Sequence, residues 1–235
     1  MTTTAAPIVD DADGAVPPPA GRSLRVVLLA VIVVAVLGIA GASGYLIGHR
    51  GQATGSSGVA PGASSVDAGF AWDMSVHHRQ AIIMAGYTRD HTSDPGIKLL
   101  AYDIETSQYF QVGEMQGWID AWRLPTNSPN AQMSWMAGST HMSMQSDGSM
   151  PGMASPAEMN KLQTLTGKTL DTYFLQLMLR HHQGGLPMAQ WAAAHAQTAY
   201  VRNLAGKMAA TQSGEIVQME QLLRESGASP LAPPS

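Results

Sequence analysis

The longest apolar stretch of the chain lies near its N-terminus, between Val26 and Gly48. Its sequence is VVLLAVIVVAVLGIAGASGYLIG, and none of its 23 residues is charged. About 20 apolar residues are enough to cross a bilayer as an α-helix. Ala40–Ala42 resembles a signal-peptide cleavage site, but the uncharged run continues past it and a long polar segment precedes it. The pattern therefore favours an uncleaved transmembrane helix over 24–48, and signal cleavage is the alternative.

Low-complexity segments lie on both sides of this run and at the end of the chain. Residues 1–21 are rich in Pro, Ala and Asp and have no apolar period, which predicts a disordered tail. Residues 49–65 are rich in Gly, Ser and Ala, a composition typical of a flexible linker. Residues 226–235 are predicted to form a second loose tail. The charges around 24–48 slightly favour a cytoplasmic N-terminus, which would place the domain 66–225 outside the cytoplasm.

An internal repeat organises this domain. A shift of 104 residues aligns 67–121 with 171–225 without a gap, and it gives twelve identities. Six of the eight histidines fall in register in this alignment. A repeat of this kind indicates a duplicated structural unit.

Each repeated unit has the periodicity of two helices. At 100° per residue, the repeated positions from Asp67 to Met84 fall within an arc of about 120° on one helix face. A proline after a capping residue at Asp94 predicts a second helix that runs to about residue 122. The two units, 66–122 and 168–225, therefore predict an all-α fold, an antiparallel four-helix bundle, with no strand.

The segment that joins the units, 125–167, is unusually rich in methionine. Seven methionines and His141 lie within 133–159. Ser155 to Glu158 forms a capping box with proline at the first helical position, which predicts one short helix. The rest of the segment has no periodicity, so we predict a flexible loop.

Composition excludes several classes of function. The net charge of −4 gives no basic patch for nucleic acid. Cysteine is absent, so neither disulfides nor thiolate chemistry is possible. No glutamate of the domain has a histidine three residues later, as di-iron carboxylate bundles require. No nucleophile elbow or phosphate-binding glycine loop occurs either. We therefore expect a protein that is not an enzyme.

Histidine pairs flanked by methionines are the strongest chemical feature of the domain. They lie in MSVHHRQAIIM, residues 74–84, and in MLRHHQGGLPM, residues 178–188. Imidazole suits copper, zinc, iron and nickel, and a thioether narrows the choice towards Cu(I). Because adjacent side chains on a helix point about 100° apart, we expect one histidine of each pair in the bundle interior and the other at the rim or against the other unit's pair. The candidate metal ligands are Met74, His77, His78, Met84, His91, Met178, His181, His182, Met188 and His195.

The sequence does not support all of these candidates equally as metal ligands. Pseudo-twofold packing would bring the first three, Met74, His77 and His78, close to their counterparts in the second unit. His91 and His195 end the first helix of each unit, where a cation suits the helix dipole, so they are open between helix-end residues and outer ligands. The aspartates at 67 and 171 are expected to be first-turn acids or supporting partners of ligands.

The repeated pattern D-x-x-F-x-x-x-M-x-x-H-H, with M-A six residues on, resembles the bacterial family called domain of unknown function 305. It occurs as DAGFAWDMSVHHRQAIIMA and as DTYFLQLMLRHHQGGLPMA, and the resemblance covers roughly residues 66 to 225. The resemblance implies a ferritin-like bundle that is exported or membrane-anchored. It also implies that some relatives are associated with copper, and it brings no enzymatic activity.

Together these observations predict a single-pass protein of the cell membrane in a bacterial envelope, with its domain outside the cytoplasm. It would bind copper, with Cu(I) preferred, and would buffer it, transfer it or provide tolerance. The methionine-rich loop would collect the ion weakly. The alternative is a structural or interaction module at the envelope whose histidines and methionines only pack the bundle. The sequence leaves a protein partner, and a homo-oligomer, open.

Overall fold

The computed structural model of the chain describes residues 60–139 and 144–234, together with Thr2. The predicted transmembrane helix at 24–48 lies outside the described residues, as do His141, nearly all of the tail at 1–21 and most of the linker at 49–65. Among the residues that are described, no helix is both long enough and apolar enough to cross a membrane. This finding corrects the predicted single-pass membrane location as far as the described residues, 60–139 and 144–234, are concerned.

Five α-helices form the described part of the chain, which contains no strand, so the all-α class is confirmed. The ferritin-like type of bundle stays a prediction. One 3-10 turn, Ser134–Met136, lies in the segment between the repeats. The helices are α1 (Val66–His91), α2 (Pro95–Ala121), α3 (Pro156–Leu162), α4 (Gly167–His195) and α5 (Ala199–Glu225).

Three of the five helices, α1, α2 and α3, begin at a residue whose side chain caps them. The Ser65 hydroxyl accepts from the Ala68 amide at the start of α1, and the Asp94 carboxylate caps α2 with proline at the next position. The predicted capping box is present at α3, where Ser155 and Glu158 satisfy each other's backbone amides. These side chains occupy amide donors that the first helical turn leaves without partners.

Each repeated unit is a helical hairpin, and the hairpins meet through their first helices. α1 packs on α2, α4 packs on α5, and α1 contacts α4 between the units. The core forms two clusters of buried side chains. One contains Met74 and Met188, and the other contains Met84 and Met178. Because each cluster joins the start of one first helix to the end of the other, α1 and α4 run in opposite directions.

An aspartate from each unit, the buried Asp67 and the half-buried Asp171, contacts the turn of the other unit. The Asp67 carboxylate accepts hydrogen bonds from the backbone amides of Gln197 and Thr198 and from the Thr198 hydroxyl, at 2.7 to 2.8 Å. In the reciprocal position, the Thr92 hydroxyl donates to Asp171 at 2.6 Å. Thr198 therefore does not cap α5 with its own side chain. The two aspartates fix the relative position of the hairpins, and they are not close partners of the histidine pairs.

The segment that joins the units is packed against the bundle at Trp135–Met136 and from Met150 to Ala154, so the prediction of a flexible loop is wrong for these parts. Trp135 lies 8% exposed and Met150 is fully buried in the first core cluster. Gln80 of α1 binds both the backbone amide and the carbonyl of Ala154, at 2.6 and 2.8 Å. The aspartate at 73 accepts from the Trp135 indole at 2.8 Å. These contacts make the segment part of the core.

Two glycines allow the backbone of this segment to lie directly on α4. A side chain at Gly184 would overlap the carbonyl group of Pro151, and one at Gly152 would overlap the carbonyl of Arg180. Gly152 also has φ +80°, a conformation that favours glycine. The segment is thereby placed over the middle of α4, next to the histidine pair of that helix.

Candidate metal centre

The first histidine of each pair lies at the contact between α1 and α4. The rings of His77 and His181 face each other with centroids 3.8 Å apart, and both side chains are fully buried. His77 Nε2 lies 3.1 Å from the Pro151 carbonyl oxygen, and His181 Nε2 lies 3.0 Å from the His77 carbonyl oxygen. The joining segment therefore supplies one of the two acceptors.

The second histidine of each pair turns towards the second helix of its own unit. His78 Nε2 lies 2.7 Å from the side-chain amide oxygen of Gln111 on α2. His182 Nε2 lies 2.7 Å from a carboxylate oxygen of Glu215 on α5. Both histidines are fully buried, so neither occupies the predicted position at a rim. Each pair is divided as predicted, because its two rings face different helices.

All four rings leave their Nδ1 atoms buried and without a hydrogen-bond partner, and they are the rings of His77, His78, His181 and His182. Each Nε2 faces an oxygen acceptor, so in the neutral imidazole the proton belongs on Nε2. The Nδ1 atom then carries an unprotonated lone pair. Native proteins pair nearly all of their buried polar atoms, so four unpaired nitrogens of one kind make these rings candidate ligands.

Burial keeps three of these imidazoles neutral. Loss of solvation is the main cause that lowers the pKa of His77 to about 4; the hydrogen bond to the Pro151 carbonyl opposes it, and the proximity of His182 adds a smaller lowering. The pKa of His78 is lowered to about 3, again chiefly by burial and then by the charge of His77. Burial also lowers the pKa of His181 well below its ordinary value. Neutral imidazole is the form that binds metal ions.

Methionine sulfurs lie in the core on both sides of the histidines. Met74, Met84, Met178 and Met188 are fully buried. Met74 shares its cluster with Met188, and Met178 shares the other with Met84, so the predicted neighbourhood of Met74 and Met178 is not found. Along α1 and α4, the histidine pairs lie between the residues of the two clusters. Each end of the histidine group therefore faces a methionine-rich core.

Nitrogen and oxygen ligands alone do not form a complete metal site among the described residues. Across residues 60–139 and 144–234, no three side chains of His, Asp or Glu come together so that they could hold one ion. An ion held by these histidines would therefore need sulfur as well as nitrogen. Thioether with imidazole is a donor set that suits Cu(I) better than Zn²⁺, Mg²⁺ or Ca²⁺.

The last histidine of each first helix lies away from this group. His91 and His195 are exposed, and each Nδ1 lies within 2.9 Å of a carbonyl oxygen four residues earlier, on Tyr87 and Trp191. Their rings stack on those same aromatic side chains at 4.0 and 3.9 Å. The structure thus places both as helix-end residues and does not bring them to the other candidates.

Two buried glutamines and one glycine of the bundle were not among the sequence candidates. Gln108 and Gln212 are both 3% exposed, and each has a buried side-chain oxygen without a partner. Gly185 makes room for this arrangement, since a side chain there would press against the His77 ring and the Gln212 oxygen. Gln108 and Gln212 occupy the same position of the repeat. A polar residue repeated at one position of a helix face was the sign in the sequence that could have pointed to them.

The family described as Domain of unknown function (DUF305) matches residues 67–223. A DUF305 protein of Streptomyces coelicolor, assigned as secreted, has a crystal structure that is 45% identical, with a TM-score of 0.67, and the match covers 73% of this chain and 99% of that one. A DUF305 fragment from Deinococcus radiodurans is 31% identical, with a TM-score of 0.57, over 70% and 99% of the two chains. No curated protein matches this chain.

A third similar structure is that of CopM, solved in a Cu(II)-bound form. It is 25% identical, with a TM-score of 0.52, and the match covers 68% of this chain and 97% of that one. CopM has also been solved in a Cu(I)-bound form, at 24% identity, a likeness that shows the fold alone.

Proposed function

This chain belongs to the DUF305 family, and from that premise we propose that its helical bundle binds copper as Cu(I) and buffers it or passes it on. The observation that carries the proposal is the set of four buried imidazoles whose Nδ1 atoms have no partner. The copper-bound state of CopM, a similar protein, supports copper as the ion.

The hydrogen bonds of the histidines support a role as ligands. Metal-binding histidines usually donate their other ring N–H to a carbonyl or a carboxylate, which fixes the tautomer and the orientation of the ring. The Pro151 carbonyl, the His77 carbonyl and the Glu215 carboxylate are acceptors of this kind. The Gln111 side chain serves the same purpose for His78. The apo protein thus already has rings whose free lone pairs are oriented.

The free energy of this arrangement also favours a ligand. A buried polar atom without a partner costs about 1–3 kcal/mol. Four such nitrogens would therefore destabilise the fold by a large fraction of a typical unfolding free energy of about 5–15 kcal/mol. A soft cation bound here would use at most two of these lone pairs, and fully buried methionine sulfurs would complete its coordination.

We propose binding and release, and not catalysis. The side chains of the four paired histidines and of Met74, Met84, Met178 and Met188 are fully buried. A substrate larger than an ion would therefore have no access to the group. The docked joining segment, which lies over the histidines through Pro151, would have to move for an ion to enter or leave.

The proposal is tested by Cu(I) titration of the full chain without oxygen, against a chromogenic Cu(I) chelator. In the test variant, His77, His78, His181 and His182 are all replaced by Gln. We expect its affinity for Cu(I) to fall by more than about 100-fold, because loss of a ligand costs more than the 10–100-fold typical of a supporting partner. The matched control is the His91→Gln, His195→Gln variant, which should bind as the wild type does.

The alternative function, a packing or interaction module without metal, predicts the opposite pair of results. The four-histidine variant would then keep the affinity of the wild type for Cu(I), while its apo form would lose thermal stability. Thermal unfolding of each apo variant is measured in parallel, so a fall in affinity cannot be mistaken for a loss of folded protein. Unchanged affinity would overturn the copper proposal.

A further inference from the structure

One chemical asymmetry of the duplicated site lies on the second helices. The residue that accepts from the outer histidine is Gln111 in the first unit and Glu215 in the second. These positions are related by the repeat of 104 residues, and both acceptor distances are 2.7 Å. The same contact is therefore made twice, once by a neutral amide and once by a carboxylate.

From this difference we propose that His182 is a stronger copper ligand than His78, and that the residue at positions 111 and 215 sets their order. This inference rests on the proposed function. It adds that the two halves of the bundle are not equivalent towards the ion. Glu215 and Gln111 act as positioning residues, because they contact the histidines and would not contact the metal.

The Glu215 carboxylate should strengthen copper binding at His182 through two effects. An imidazole whose N–H is bound to a carboxylate donates more electron density through its other nitrogen. A buried cation held by neutral ligands also carries an uncompensated charge, which is unfavourable at low dielectric constant. The side chain of Glu215 is only 15% exposed, so its negative charge acts on a nearby cation with little screening by solvent.

The charge of Glu215 is not used by another group. Within the described residues, the only cationic or potentially cationic side chain in ion-pair contact with it is His182. Gln111, which occupies the same position of the first unit, is uncharged. The difference between the two halves is therefore a full negative charge next to one outer histidine.

The chain contains a natural control for substitution at this position. Gln111 holds its histidine at the same distance as Glu215 does, so Glu215→Gln keeps a hydrogen-bond acceptor and removes only the charge. The exchanged variant, Gln111→Glu with Glu215→Gln, keeps the total charge and moves it to the other unit. Thermal unfolding of the apo forms checks that each variant is folded.

The test compares His78→Gln with His182→Gln in three backgrounds, by anaerobic competition for Cu(I). In the wild type, His182→Gln should lower the affinity about 10-fold or more beyond the effect of His78→Gln, the scale of a supporting-partner effect. With Glu215→Gln the two losses should become similar. In the exchanged variant their order should reverse.

Each outcome has a distinct meaning. Equal losses in the wild type, or an order that stays the same after the exchange, would overturn this inference while leaving copper binding intact. A wild-type protein that takes no Cu(I) from the chelator would overturn the proposed function itself. A reversed order in the exchanged variant would assign the difference to the carboxylate, because a purely structural role of these residues would not move with the charge.

Discussion

Acid should unfold this domain in a pH range that the buried histidines define. In the unfolded chain these imidazoles have a pKa of 6.5, but in the folded protein the pKa of His77 falls to about 4 and that of His78 to about 3. Between pH 6.5 and 4 the unfolded state therefore binds more protons than the folded state. Stability is fully present above pH 6.5 and is lost as the pH falls towards 4.

The size of the loss follows from the same values. At pH 5, each of these two histidines should lower the free energy of unfolding by about 2 kcal/mol relative to pH 8. The two together remove about 4 kcal/mol, a large part of the roughly 5–15 kcal/mol typical of a domain. His181, whose pKa is also lowered by burial, acts in the same direction.

The assay is chemical denaturation of the metal-free protein at a series of pH values from 8 to 4.5. His78→Gln removes one titrating group, so the slope of stability against pH should fall by up to about 1.4 kcal/mol per pH unit in the steep region. The matched control, His91→Gln, changes an exposed histidine and should leave the slope as it is. A stability that stays constant between pH 7.5 and 5 would refute the placement of neutral, buried imidazoles in the core.

Three other predictions concern the fold around the site. Gly184→Ala should lower the free energy of unfolding by about 1–3 kcal/mol, because the new methyl group would overlap the backbone of Pro151. Gly206→Ala should raise it by about 0.5–1 kcal/mol, because Gly206 lies on the exposed side of α5 with open space around it. Asp67→Asn should cost more than about 2 kcal/mol, because that carboxylate accepts three hydrogen bonds, while Asp171→Asn, where one hydrogen bond from Thr92 is involved, should cost about 1 kcal/mol. Met150→Ala should destabilise the apo protein by about 2–5 kcal/mol, as expected for a fully buried side chain and not for a mobile loop. Chemical denaturation measures all three, and equal effects within a pair, or no effect of Met150→Ala, would contradict them.

The helices and the repeated ligands could be predicted from the sequence because both depend on local spacing. The second helix of the second unit ends at Glu225, as predicted, and that of the first unit ends at Ala121, next to the predicted residue. The helical period placed both histidines of each pair on one helix face, and the structure brings the rings of His77 and His181 together. The spacing of residues along each repeat was enough to predict these features.

Features that depend on contacts between distant segments could not be predicted. The joining segment has no periodicity, so its close backbone contact with α4 through Gly152 and Gly184 left no regular pattern in the sequence. The opposite directions of α1 and α4 separate Met74 from Met178, although the two occupy the same position of the repeat.

The acceptors of the outer histidines were missed for a different reason. Gln111 and Glu215 differ between the units, and a search for identities between the repeats passes over such a position. The pattern of identities therefore identified the candidate ligands, and the hydrogen bonds that orient their rings became visible only in the folded chain.

The most direct test of the central claim is ¹⁵N NMR of histidine-labelled protein before and after addition of Cu(I) without oxygen. In the apo protein, the four buried imidazoles should show a proton on Nε2 and an unprotonated Nδ1. Addition of Cu(I) should shift the Nδ1 resonances of His77, His78, His181 and His182 and leave those of His91 and His195 unchanged. Protonated Nδ1 atoms in the apo state, or Cu(I) binding that leaves all four resonances in place, would contradict the account.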